Sequence, residues 1–479
     1  MSVPAVLGGP STSTSSVAGP ERLVVPALCQ PSLLADLPNH DTISTLLAKH
    51  IPPHIRPARD TSGTFPPDES PHNPDLALAM RTNAWRRIAV YARDRIISAG
   101  APPPSASPET HADIVEPAGP HDVSTVLRWW TVRLQALLRL RLHSQFQVEL
   151  ESLWAILKRT TFPRSSAAPP PPPTTQPGGE QQAYIRPTVR YARLLDSPLI
   201  PFTLHVLRAR EPLLTGDPRA ALEKCHALLQ RCRVMQRRFV RVATVDGAQG
   251  GEQADLEGGA KAEARMWEER GRRMSVVIAF ILLDFEDYSA AINLLRPLIS
   301  TAPTTPTEQA YNLLLARLFL EAGAVASAQA CIQAVSASLA TTPPSKSGGN
   351  QLHELLDVSK ALLAVWQGNY SSAVEQWERV SHGQESGDGK TSREIDPAAM
   401  SNLALSRFYQ GNVDEATTLL ERLLQEEPST ATSAEAVIFN LITMHELRSD
   451  DSISHKRRIL VHVAQWAGDG NGTSCLKLT

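Results

Sequence analysis

Aromatic residues are scarce, at 5% of the chain, while leucine and alanine are plentiful. That balance suits helix packed on helix better than a β sandwich. No apolar run reaches the ~20 residues that a bilayer-spanning helix requires. The five cysteines, Cys29, Cys225, Cys232, Cys331 and Cys475, are odd in number and scattered. Such a set argues against a disulfide framework and for a reducing compartment. The opening MSVPAVLGGPSTSTSS lacks a basic segment followed by an apolar core, so no secretory leader is expected. Asn369-Tyr370-Ser371 and Asn471-Gly472-Thr473 then read as chance matches to the glycosylation pattern. A net charge of -2 with mixed signs supplies no field for nucleic acid or an anionic membrane.

What the chain has instead is a helical hairpin, written most clearly at Ala398 to Pro428. Leu403, Ala404 and Phe408 mark a first helix, and Gln410-Gly411-Asn412 a turn. Ala416, Leu419, Leu420, Leu423 and Leu424 form the apolar stripe of a second. Pro428 is expected to end it. Small residues where two helices approach, a bulky residue four positions on and a closing proline are the pattern of a tetratricopeptide repeat. One such hairpin cannot bury its own face and requires neighbours.

Those neighbours share one offset. Gly411, Ala416 and Leu420 have counterparts in Gly368, Ala373 and Trp377, in Gly323, Ala328 and Ile332, and in Gly216, Ala221 and Cys225. Glu286, Ala291 and Leu295 fit with glutamate in place of glycine. Successive alanines stand 70, 37, 45 and 43 residues apart. Against a repeat of ~34 residues, most units carry linkers and the first gap holds roughly one extra unit's length. The expected fold is all-α, a tetratricopeptide-repeat α-solenoid with a disordered amino-terminal arm.

The expected organisation follows in order. Residues 1–70 form a Pro/Ser/Thr-rich arm with no sustained period, apart from a short helix over Ile43 to Ile51. Residues 71–160 hold degenerate helical hairpins, beginning with one helix from a capping Asp75 to Ser98. Residues 161–183, with Pro169 to Pro173 consecutive, form a linker. The solenoid occupies 184–434. A capping hairpin and tail, 435–479, covers the last apolar face.

Candidate chemistry is thin. Gly383 to Thr391, GQESGDGKT, approaches the phosphate-loop pattern. Its spacing is one residue too long, and an amphipathic helix rather than a strand precedes it, so a solvated inter-repeat loop is the expected reading. A hydrolase using Lys390 is therefore the last hypothesis. His50 and His54 are separated by Pro52-Pro53, which denies them a shared helical face for a metal. Cys225 and Cys232 fall on a buried stripe, where packing is the expected role. Neither catalytic residue, cofactor nor metal is expected. Arg219, Lys224, Arg231, Arg233, Arg237, Arg238 and Arg241 load one long helix with positive charge. Such a run reads first as a solvated face and second as a patch for an acidic partner, unless Glu252 to Glu269 neutralise it. Nucleic acid is not expected, because no aromatics interleave the run.

Particular segments carry a resemblance. VIFNLITMHEL (Val437 to Leu447), the closing CLKL (Cys475 to Leu478), PFTLHVLRAR (Pro201 to Arg210) and GDPRAALEKCHAL (Gly216 to Leu228) resemble the subunit 12 family of the trafficking protein particle (TRAPP) complex. The resemblance extends from about Asp75 to Thr479. It implies a non-catalytic scaffold of a TRAPP III-type vesicle-tethering assembly in endoplasmic reticulum-to-Golgi transport and autophagy. The implied partners are other TRAPP subunits, 8 and 11 foremost, and indirectly a Rab-family GTPase. The implied location is cytoplasmic and peripheral at the early secretory pathway, without a membrane span. The other reading is a generic tetratricopeptide co-chaperone gripping a partner's peptide tail through Arg317, Asn402 and Arg407. Against it, the matching positions around Val276 to Leu283 are apolar.

Overall fold

The structure, a computed structural model, describes residues 26–38, 41–59, 63, 65, 76–100, 123–159, 199–246, 254–299, 303–341, 349–382 and 396–478. Among these the regular structure is all helical.

Part of the Pro-rich arm is built into the core. Short 3-10 turns cover Pro26–Cys29 and Pro31–Leu33, and α1 spans Thr42–His50. Asp41 starts α1 by accepting hydrogen bonds from the Ile43 and Ser44 backbone N–H groups at 3.2 and 3.1 Å. Ile43, Leu46 and Leu47 of α1 are buried. Their neighbours are not local: they belong to one apolar cluster with Leu460, Val463 and Ala464, more than 400 residues on.

The helix expected from Asp75 to Ser98 is broken in two, α2 (Leu76–Arg81) and α3 (Trp85–Ala99); Asp75 itself lies outside the described residues. Asn83 causes the break by adopting a left-handed conformation, φ +56°, which asparagine tolerates better than most residues. Helices α4 (Val123–Arg139) and α5 (His143–Arg159) follow as an antiparallel pair. Their turn lacks glycine, and Arg141 takes the left-handed conformation at φ +60°.

The repeat array then runs through α6 (Phe202–Arg210), α7 (Pro218–Asp246), α8 (Ala254–Asp284), α9 (Tyr288–Leu295), α10 (Pro306–Glu321), α11 (Val325–Thr341), α12 (Gly349–Trp366), α13 (Tyr370–His382), α14 (Pro397–Tyr409) and α15 (Val413–Glu426). The buried Pro212 ends α6 at a 3-10 turn, Glu211–Thr215. The 70-residue interval contains no extra unit. It is taken up by α7 and α8, of 29 and 31 residues, which pair far beyond the length of the other hairpins. At 1.5 Å per residue each is roughly 45 Å long. The glycine-rich, acidic stretch from Asp246 to Gly259 reads as a loop in the sequence, but α8 already starts at Ala254.

Pro428 lies beyond the end of α15 but also begins a further short helix, α16 (Pro428–Ser433). A proline is well placed there, where its missing N–H would have had no helical partner. The terminal hairpin is α17 (Glu435–Arg448) and α18 (Ser452–Trp466), followed by a 3-10 turn at Thr473–Leu476. Leu420, Leu423 and Leu424 of α15 share one core with Val437, Ile438 and Leu441 of α17.

The amino-terminal helices join the two ends of this array. At one end, Leu150 and Leu153 of α5 pack with Leu204 and Leu207 of α6, and the Trp154 ring meets His205 edge-on at 5.5 Å. At the other, Arg59 pairs with Asp41 at 2.7 Å and donates to the carbonyls of Ala464 and Ala467. Asn83 donates to the Ser433 carbonyl and to Asn471. Arg86 pairs with Asp469 at 2.8 Å. The chain therefore closes on itself instead of ending as an open stack.

Candidate interaction surfaces

The repeat turns set the register of every exposed side chain. Gly216, Gly323, Gly368 and Gly411 have φ between +72° and +91°, and Glu286 holds the same turn at +60°. Left-handed backbone suits glycine because no Cβ meets the following carbonyl. A Cβ added at Gly368 would touch nothing within 4 Å, so Gly368→Ala would meet backbone strain alone. Its expected cost is about 1–2 kcal/mol, read as a lower urea midpoint for the full chain. The reverse change, Glu286→Gly, is expected to raise that midpoint.

Five residues after each turn residue, Ala221, Ala291, Ala328, Ala373 and Ala416 are fully buried. Four further on, Cys225, Leu295, Ile332, Trp377 and Leu420 are buried too. The structure adds a column that the sequence reading overlooked. Seven residues before each turn residue stand Ala209, Ala279, Ala316, Ala361 and Ala404, all buried. Here the first helix of each unit meets its partner closely, and a small side chain permits it. The signal is a fixed offset on the near side of the turn, which Ala404 exemplifies in the clearest hairpin.

With these columns turned inward, the chain leaves large apolar side chains outside. Trp366 and Tyr409 stand two residues before Gly368 and Gly411 and are 49% and 61% exposed. Tyr370 stacks on Tyr409 at 5.2 Å with 14° between the rings. On the terminal hairpin Leu447 is 67% and Ile453 57% exposed. The tail is fastened beside them. Lys477 donates to Thr443 at 2.7 Å and Glu446 at 3.0 Å, and lies 4.3 Å from the centre of the Phe439 ring. Hydrogen bonds from Lys456 and Lys477 hold the Glu446 carboxyl below its usual range.

The residues offered for a peptide-tail clamp are not gathered. Arg317 lies on α10, whereas Asn402 and Arg407 lie on α14, with α12 between. Arg407 is already bound to Glu378 at 2.7 Å and Glu415 at 3.7 Å. Arg317 is half-buried, and desolvation lowers its pKa. Burial pushes the Cys225 and Cys232 thiols up to about 11, leaving little reactive thiolate. Burial, with Arg231 and Arg270 nearby, pushes His205 down to about 3 and keeps its ring neutral. Gly383 to Thr391, including Lys390, lies outside the described residues, and so do residues 160–198 with the polyproline run. Among the described residues no group of His, Cys, Asp and Glu is arranged to hold a metal ion, and no helix is long and apolar enough to cross a membrane.

Comparison with known proteins adds relatives. No family model matches the chain. Over 285 residues it is 27% identical to trafficking protein particle complex subunit 12 of Homo sapiens, covering 58% of this chain and 35% of that protein. Over the same length it is 26% identical to the subunit of that name from Mus musculus, covering 33% of it. The match thus spans about a third of the curated relatives. A crystal structure of the P58(IPK) TPR domain shares 12% identity over 70% of this chain and 82% of that one. Its TM-score of 0.16 is too low to equate the two arrangements. The similarity to the TRAPP subunit 12 family, read in the sequence from Pro201 to Arg210, Gly216 to Leu228, Val437 to Leu447 and Cys475 to Leu478, is borne out by these two curated relatives.

Proposed function

We propose that this chain is a non-catalytic scaffold subunit of a TRAPP III-type vesicle-tethering assembly. The reading rests on the similarity to subunit 12 over 285 residues. Its physical support is a helical array whose conspicuous exposed groups are apolar side chains rather than a reactive cluster. In this role the chain contacts other TRAPP subunits, 8 and 11 foremost, and meets a Rab-family GTPase only through them. It acts peripherally at the early secretory pathway, in endoplasmic reticulum-to-Golgi transport and autophagy.

Within the chain, the terminal hairpin is the proposed docking element. Leu447 and Ile453 are exposed beside the α17–α18 turn, where an apolar contact would release ordered water. Deleting Glu435 to Thr479 is expected to abolish co-purification of the assembly. That deletion also removes Ala464, Asn471 and Asp469, which bind Arg59, Asn83 and Arg86, so a milder variant is needed. Leu447→Glu with Ile453→Glu changes two exposed residues and leaves the core alone. Recovery of TRAPP subunits by affinity purification and mass spectrometry should fall about tenfold, with unchanged circular dichroism. Undiminished recovery would sink the role given to the hairpin.

A further inference from the structure

Helices α7 and α8 outgrow their repeat. Beyond the units' shared core they enclose a small core of their own, made by Cys232, Phe239, Ala264 and Trp267, with Met235, Met266 and Phe202 against it. The result is a long paired-helix arm with side chains packed between α7 and α8 and against Phe202 of α6. On α7 the inward ridge is Cys232, Met235 and Phe239, spaced i, i+3, i+7. Opposite it lie Arg233, Val234, Arg237, Arg238, Val240 and Arg241, all exposed. At 3.6 residues per turn these six fall within about 160° of arc.

Two acidic residues of α8 are engaged along α8 itself. Glu268 pairs with Arg272 at 2.6 Å and Glu269 with Arg273 at 3.0 Å, both along their own helix. Among the described residues Arg233, Arg237 and Arg238 make no ion pair. Val234, 61% exposed, sits among them, and Val240, 45% exposed, at the edge of the face.

We infer that the outer face of the α7 arm is a docking surface for an acidic amphipathic segment of a partner protein. It is a surface separate from the terminal hairpin. Charge complementarity selects the partner: a planar guanidinium binds a carboxylate through two parallel hydrogen bonds, and the charged positions of this face are all arginine. The two valines give the partner's apolar residues a shallow contact. A lipid surface fits worse, because the face offers no tryptophan, phenylalanine or leucine to enter a bilayer. RNA fits worse too, because no ring is available for base stacking.

The test uses the full chain and a labelled synthetic helical peptide of about 16 residues with glutamates flanking leucines on one face. Fluorescence polarisation should show binding that weakens as salt rises. Arg237→Glu with Arg238→Glu should weaken it by about tenfold or more. Arg219→Glu with Lys224→Glu, an equal charge change near the start of the same helix, should bind as the unaltered chain does. Vesicles of phosphatidylserine and phosphatidylcholine should not be captured. Equal loss in both variants would reduce the effect to a diffuse field and overturn the proposal. So would peptide binding untouched by Arg237→Glu with Arg238→Glu, no peptide binding at all, or preferential capture of the vesicles. Recovery of TRAPP subunits is a separate readout, so failure here leaves the scaffold reading to its own test.

Discussion

Replacing Glu149 by leucine is expected to cost about 3–5 kcal/mol, because it strands a buried arginine without its counter-charge. Arg133 is fully buried. Its guanidinium donates to both carboxylate oxygens of Glu149, at 2.8 and 3.2 Å, and to the carbonyls of Ala35 and Ala89. Glu149 also accepts from the Ala35 backbone N–H and from Gln145. One ion pair thus ties the amino-terminal segment to α3, α4 and α5. The double change Arg133→Leu with Glu149→Leu should be less damaging than Glu149→Leu alone, since removing both charges leaves none uncompensated in the core. Urea denaturation followed by circular dichroism measures four chains: the unaltered one, Arg133→Leu, Glu149→Leu and the double variant. A double variant as unstable as the sum of its parts would show that the pair does not act as a unit.

Trp377→Ala is the second large effect, expected at about 3–5 kcal/mol. Trp377 is 2% exposed and shares its core with Ala373, Leu403 and Ala404, at the junction of α13 and α14. The alanine would leave a void bounded by residues whose backbones are fixed by two helices, so little collapse can offset it. Trp377→Phe provides the contrast. It keeps most of the ring volume and removes an indole N–H that has no hydrogen-bond partner among the described residues. Its expected cost is below about 1.5 kcal/mol. A Trp377→Ala midpoint close to that of the unaltered chain would mean that the repeat register is wrong at this unit.

The repeat array was legible because its determinants are local. A left-handed turn residue, a small residue five positions later and a bulky one four beyond that are all set within one hairpin. The rest depended on partners far along the chain. Nothing near Asn83 announces a break: no glycine or proline is there, and its side chain is satisfied by Ser433 and Asn471. Glu149 reads as part of a solvated helix face until Ala35 and Arg133 surround it. Leu28 and Leu34 lie in a stretch whose prolines and serines suggest disorder, yet both are buried. Composition reports what a segment can do alone and is silent on a surface supplied from elsewhere. The 70-residue interval misled for a related reason: repeat counting assumes hairpins of one length, and two helices simply ran on.

The closing of the array also imposes a schedule on its synthesis. Arg59 and its acceptor Ala467 are separated by 408 positions. At 5–20 residues per second a ribosome needs roughly 20–80 s to make that much chain. Throughout that time Ile43, Leu46 and Leu47 have no cap to cover them, while the hairpins between can form as they emerge. Helix α1 is thus among the last to find its place, although it is made long before its cover. For that interval the nascent chain displays the apolar strip of α1, within reach of any chaperone that binds such strips.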